Sequence, residues 1–198
     1  MTDPIINNYL YVVENYNTIC YNVNDVKSKY RADNEEIKIM AVTKTVLPEI
    51  INTAVSCGIN LLGENRVQEF LSKKDEYDKT ADVHFIGHLQ TNKVKYIIND
   101  VKMIQSVDSI KLAEEINRLA KANNKTIDIL IEINIGGELS KSGIDKNELE
   151  NLLYKVSTLE SVKVKGLMTI PPVNAPESLY ENMQKLFVDI RDKKIDNI

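Results

Sequence analysis

The chain has 198 residues, 43% of them hydrophobic and 27% charged, with a formal net charge of −4 and a pI near 5.4. That is the composition of a globular domain, which excludes disorder, and its acidity excludes a general attraction to nucleic acid or anionic membrane. No apolar run approaches the roughly 20 residues of a membrane span, the first residues do not form a signal peptide, and Cys20 and Cys57 share no metal-ligand spacing. The expectation is a cytoplasmic protein with two reduced thiols.

In chain order, Pro4 to Arg31 reads as a helix, with Ile6, Tyr9, Leu10, Val13 and Tyr16 at helical spacing. A polar break, "RADNEE", follows it. Strands are then expected at Ile37–Thr43, Asn60–Leu62, Val83–Ile86, Lys102–Gln105, Ile127–Ile133 and Val162–Met168. Helices fall between them at Pro48–Ser56, Arg66–Lys74, Asn92–Asn99, Ser109–Ala122 and Lys146–Thr158, and a last one at Pro176–Lys194. Asp108 or Ser109 is placed to cap the fourth of these, whose stripe is Leu112, Ile116 and Leu119. Strand–helix alternation means parallel strands with helical crossovers, and runs such as "IDILIEINI" suit strands covered on both faces. No linker divides the chain, so residues 1–198 are expected to be one domain. A doubly wound sheet and a (β/α) barrel both remain open; the absence of GxGxxG after the first strand weakens the dinucleotide-binding version. A closed barrel needs eight strand–helix units, and six are visible.

Ligands of such folds gather at the carboxyl ends of the strands. Residues just past the strands are "TKT" with Lys44, "GENRVQEF" with Glu64, Asn65 and Gln68, "GHLQTNK", "GGELSKSG" with Lys141 and Ser142, and "GLMTIPP". Lys38, Met40, Val42 and Lys44 share one face of the first strand, so Lys44 is the uppermost residue of that face. A partly desolvated amine there would be a nucleophile toward carbonyls; the plainer reading is a lysine snorkelling at a strand end. Asn65 taken alone reads as a helix N-cap, Met168 as core, Lys141 as surface charge or a second ammonium near a site mouth, and Gly136–Gly137 as a turn. His84 and His88 lie on strand and turn, with no carboxylate set to complete a metal site. No Ser-His-Asp, Cys-His or phosphate-loop arrangement is present.

Together, "AVTKTV", "LLGENRVQEF", "VHFIGHLQTNK", "IQSVD", "LIEINIGGELSKSGI" and "VKGLMTIPP" closely resemble, in this order and spacing, the pyridoxal phosphate homeostasis protein family, relatives of the alanine racemase N-terminal barrel. The resemblance covers about Ile37 to Pro172 and implies a (β/α)8 TIM-type barrel of which six βα units are visible here. It implies that Lys44 bears pyridoxal 5′-phosphate (PLP) as a Schiff base, with Asn65 beside the ring and Ile86 and Met168 near its faces. Lys141 and Ser142 would lie at the pocket mouth. It further implies a non-catalytic carrier that limits the free aldehyde and passes it to apo-enzymes; a monomer is expected because the sequence shows no strongly apolar exposed stripe. Family members end with motifs like "LSMGMS" and "VRIG" on strands seven and eight, where the cofactor phosphate is held, and residues 173–198 match neither. A domain incomplete at its C-terminus is therefore expected. Two alternatives are a PLP-dependent amino-acid racemase, which needs a second base, and a class I Schiff-base aldolase, which needs a carboxylate beside the lysine, Glu64 or Glu132 being available.

Overall fold

The structure, a computed structural model, describes residues 9–31, 36–138 and 141–193. The chain divides into two compact units, Met1–Val83 and His84–Ile198. The expected first turn of the leading helix (4–8), Ser140 of the "SKSG" motif and Lys194 lie outside the described residues.

In the first unit, helix α1 (Leu10–Tyr30) is followed by β1 (Ala41–Val42), α2 (Pro48–Ser56), β2 (Leu61–Glu64) and α3 (Val67–Lys73), which runs into a 3₁₀ turn, Lys74–Glu76. Pro48 opens α2, where its missing N–H is not needed. β1 and β2 are parallel, with Ala41 opposite Leu62 and Val42 opposite Gly63. β1 is shorter than its apolar run, since only Ala41 and Val42 pair with β2. Ile51, Ala54, Leu62, Val67, Phe70 and Tyr77 form this unit's core. No residue of α1 is buried, so its stripe of tyrosines and aliphatics is not core.

Strand β3 (Asp82–Phe85) crosses the boundary between the units. The second unit continues with a 3₁₀ turn (Thr91–Lys93), α4 (Val94–Ile97), β4 (Met103–Val107), α5 (Ile110–Ala122) and β5 (Ile127–Glu132). It then adds a 3₁₀ turn (Lys146–Glu148), α6 (Leu149–Ser157), β6 (Val162–Met168) and α7 (Glu177–Asp192). Within it β3 pairs with β4, β4 with β5 and β5 with β6, all parallel. Parallel neighbours need crossovers, which the helices supply. The six βα units and the α/β class expected from the sequence are thus present. Ser109 is the N-cap of α5, its hydroxyl accepting from the Leu112 N–H at 3.4 Å.

The strands of the second unit are covered unequally. Phe85, Ile104, Ile127, Ile129, Ile131, Val162 and Val164 are buried, as are Leu112, Ile116, Leu149, Leu153 and Val156 of the helices. Each such side chain stabilises the fold by about 1.5–3 kcal/mol. On the other face His84, Met103, Gln105, Asp128 and Leu130 are half-buried and Lys163 is exposed. The expectation of strands apolar and covered on both faces therefore holds for one face only. A bulge in β6 places Ile129 opposite Val164 but Leu130 opposite Gly166, leaving Lys165 as the extra residue, 4.0 Å from Asp128. That slip sets Met168 opposite Glu132.

Candidate functional site

In the first unit, β1 ends just before Thr43 and β2 ends at Glu64, so Lys44 and Asn65 follow neighbouring parallel strands at their carboxyl ends. The Thr43 N–H donates to the Gly63 carbonyl at 3.0 Å, carrying the pairing one residue further. Alternation then puts Lys44 on the face of Val42, and Asn65 on the face of Gly63 that adjoins it. That face is open: Val42 is 49% exposed and Lys44 is exposed. The expected sheltering of the amine is therefore not found; its strand turns the apolar cover to the opposite side. Asn65 is not the N-cap of α3, a position held by Arg66 without a side-chain bond. Its Oδ1 is buried and accepts no hydrogen bond, a vacancy a polar ligand group can satisfy.

Behind Lys44 lies a buried polar cluster that sequence reading did not foresee. Glu64 is fully buried, and its Oε1 accepts from the Thr43 hydroxyl at 2.6 Å and the Tyr77 hydroxyl at 2.5 Å. Burial, with the Glu64 carboxylate next, pushes the Tyr77 phenol far above its ordinary value, so it stays a donor. Lys73 Nζ lies 3.3 Å from Glu64 Oε1 and donates to the Thr43 carbonyl at 2.7 Å, to the Val46 carbonyl at 3.4 Å and to Glu69 Oε1 at 2.8 Å. Glu69 in turn accepts from the backbone N–H of Thr45. Glu64 points to the side opposite Asn65, which removes it from the carboxylate positions an aldolase would use. The spacing of Glu69 and Lys73 was visible as a helical pair; the partners of Glu64 were not, since they lie 13 and 21 residues away.

In the second unit, Ile86 follows β3 and is half-buried, as is Met168 at the end of β6. Met168 stands opposite Glu132, whose carboxyl is buried with Oε2 unpartnered. Burial, and then the charge of Asp108, raises this carboxyl above its ordinary value, against a smaller lowering by His88. His88 Nδ1 is 3.4 Å from Asp108 Oδ2, while His84 Nδ1 is 2.8 Å from Gln105 Nε2. Among the described residues no group of acids, histidines and cysteines is arranged for a metal.

The described residues on either side of 139–140 in the "GGELSKSG" segment meet the chain after β6: a Cβ at Gly136 would stand 2.8 Å from Pro172 Cγ. Lys141 Nζ donates to the Pro171 carbonyl at 2.9 Å and pairs with Glu138 at 2.7 Å. Asn134 donates to the Glu138 carbonyl at 2.8 Å and accepts from its N–H at 3.2 Å. Gly143, at φ +105°, lies so close to the end of β5 that a Cβ would stand 2.6 Å from the Asn134 nitrogen. Lys141 and Ser142, both half-buried, are thus carried on a loop whose last residue has to be glycine. No helix among the described residues is long and apolar enough to cross a membrane.

The alanine racemase N-terminal domain family matches residues 15–194. The pyridoxal phosphate homeostasis protein of Aquifex aeolicus (strain VF5) is 46% identical over 158 residues, spanning 79% of this chain and 69% of that one. The protein of the same name from Escherichia coli (strain K12) is 35% identical over 175 residues, 83% and 74% of the two chains. Among solved structures, PipY of Synechococcus elongatus PCC7942 without PLP superposes with a TM-score of 0.75 at 28% identity, covering 79% of this chain and 76% of that one.

Proposed function

The chain belongs to the family of pyridoxal phosphate homeostasis proteins, and on that premise we propose that it is a PLP carrier that captures the cofactor on Lys44. Lys44 would hold PLP through its amine, and the bound cofactor would supply an aldehyde function that this amine can take up reversibly. Reversible capture without turnover suits a protein that keeps a reactive aldehyde scarce in the cytoplasm and releases it to apo-enzymes. The observation that supports this reading is the pairing of an exposed amine at the end of β1 with the unpartnered buried oxygen of Asn65 beyond the neighbouring strand. These residues fit the aldehyde end of the cofactor.

The remaining roles rest on the family resemblance. Asn65 would meet a polar group of the ring, Ile86 and Met168 would contact its faces, and Lys141 and Ser142 would guard entry. A part in capture or release requires Lys141 to exchange its present partners, Glu138 and the Pro171 carbonyl. The carrier is proposed to act as a monomer.

Protein mixed with PLP is expected to turn yellow, borohydride to fix a pyridoxyl mass on Lys44, and Lys44→Ala to stay colourless. Wild-type protein unlabelled at Lys44 would falsify the reading. Conversion of L- to D-alanine by the loaded protein would replace the carrier with a racemase. Transfer is read as activity regained by a PLP-dependent apo-enzyme.

A further inference from the structure

Lys44 sits between two residues whose backbones are held from behind. Thr45 has φ +61°, the left-handed region, which a β-branched residue adopts only when its surroundings impose it. Its N–H is taken by Glu69. On the other side of Lys44, the Thr43 carbonyl accepts from Lys73 Nζ at 2.7 Å, and the same ammonium reaches the Val46 carbonyl at 3.4 Å. Lys73 is itself only 7% exposed and is fixed by Glu69 at 2.8 Å and Glu64 at 3.3 Å. Three backbone groups between Thr43 and Val46 are therefore bound to two residues of a single short helix. An ordinary helix-on-strand contact needs only apolar packing, which Val67 and Phe70 of α3 already provide.

We propose that Glu69 and Lys73 are positioning residues for Lys44: their grip holds Thr45 in the left-handed turn and fixes the direction in which the Lys44 amine leaves the chain beyond β1. The inference rests on the reading of Lys44 as the residue that captures PLP. Without the grip, Thr45 relaxes toward extended backbone, and Lys44 leaves the orientation in which Asn65 stands beside it. The lowered carboxyl of Glu69, caused first by Lys73 and then by the Thr45 N–H, accords with an acceptor committed to both.

The test uses Glu69→Ala, Glu69→Gln, Thr45→Gly and the double variant Glu69→Ala/Thr45→Gly. Each is titrated with PLP and read as borohydride-fixed mass at Lys44, with amide hydrogen exchange at Thr45 as a readout independent of the cofactor. Glu69→Ala is expected to weaken capture about tenfold and to expose the Thr45 amide, a size set by the strain of a left-handed non-glycine residue. Glu69→Gln keeps an acceptor for the amide and is expected to lose less. Glycine adopts the turn without a Cβ clash, so the double variant is expected to recover to within about threefold of wild type. Wild-type capture by Glu69→Ala, or no recovery in the double variant, overturns the proposal while leaving Lys44 as the capturing residue. A wild-type protein that takes no PLP on Lys44 overturns both. Should Glu69→Ala not fold, Glu69→Gln against Glu69→Gln/Thr45→Gly decides by the same comparison.

Discussion

Gly143 and Glu132, whose backbones come close at the end of β5, illustrate opposite constraints on single residues. Gly143 combines φ +105° with a would-be Cβ contact of 2.6 Å to the Asn134 nitrogen, so neither a rotamer change nor a small shift relieves a side chain there. Gly143→Ala is expected to lose about 3 kcal/mol of stability through strain and overpacking together, measured as the shift of the urea midpoint at constant slope. Glu132 is a carboxyl that folding prefers neutral. Its folded value stands above its ordinary 4.5, so its stabilising share is complete below that pH and is lost as pH rises through the raised value. Glu132→Gln, neutral at every pH, is therefore expected to gain on wild type in melting temperature as pH rises, with the difference closing in acid. A wild-type and variant pair that run parallel across pH 4 to 8 would remove the burial argument.

At the scale of elements, pattern alone located β6 and α2 residue for residue, because each combines a clear period with a clear boundary signal: Pro171–Pro172 after β6 and Pro48 as the first residue of α2. The capping residue of α5 was legible as well, and Ser109→Ala is expected to cost about 1 kcal/mol, seen in thermal melting. β1 was misjudged in length, since an apolar run shows what a strand tolerates and not how many partners it finds. Asn92–Asn99 forms a 3₁₀ turn followed by a single turn of α-helix, a difference of hydrogen-bond register to which side-chain periodicity is blind at such length. Ile129 lies at the centre of β5, fully buried; Ile129→Ala is expected to lose about 2–5 kcal/mol in the same urea measurement.

At the scale of the molecule, the α/β class was readable because strands and helices alternate with different periods, and the family because its motifs follow the strand ends. The position of Lys44 and Asn65 just past neighbouring strands could be read for that reason. The cluster of Glu64, Lys73 and Tyr77 could not: only the fold shows that Thr43 bonds both Glu64 and Lys73 while Tyr77 reaches the same Glu64 oxygen. The motifs assigned by resemblance to the cofactor phosphate have no counterpart in residues 173–198, and among the described residues no strand follows β6.

The turn at Thr45 carries a stereochemical consequence. A dihedral of +61° is uncomfortable for an L-residue but is the natural helical region of its mirror image. Chemical ligation that installs a D-amino acid at this one position should leave the backbone where it is, whereas the same inversion at Thr43, inside the parallel pairing, should not.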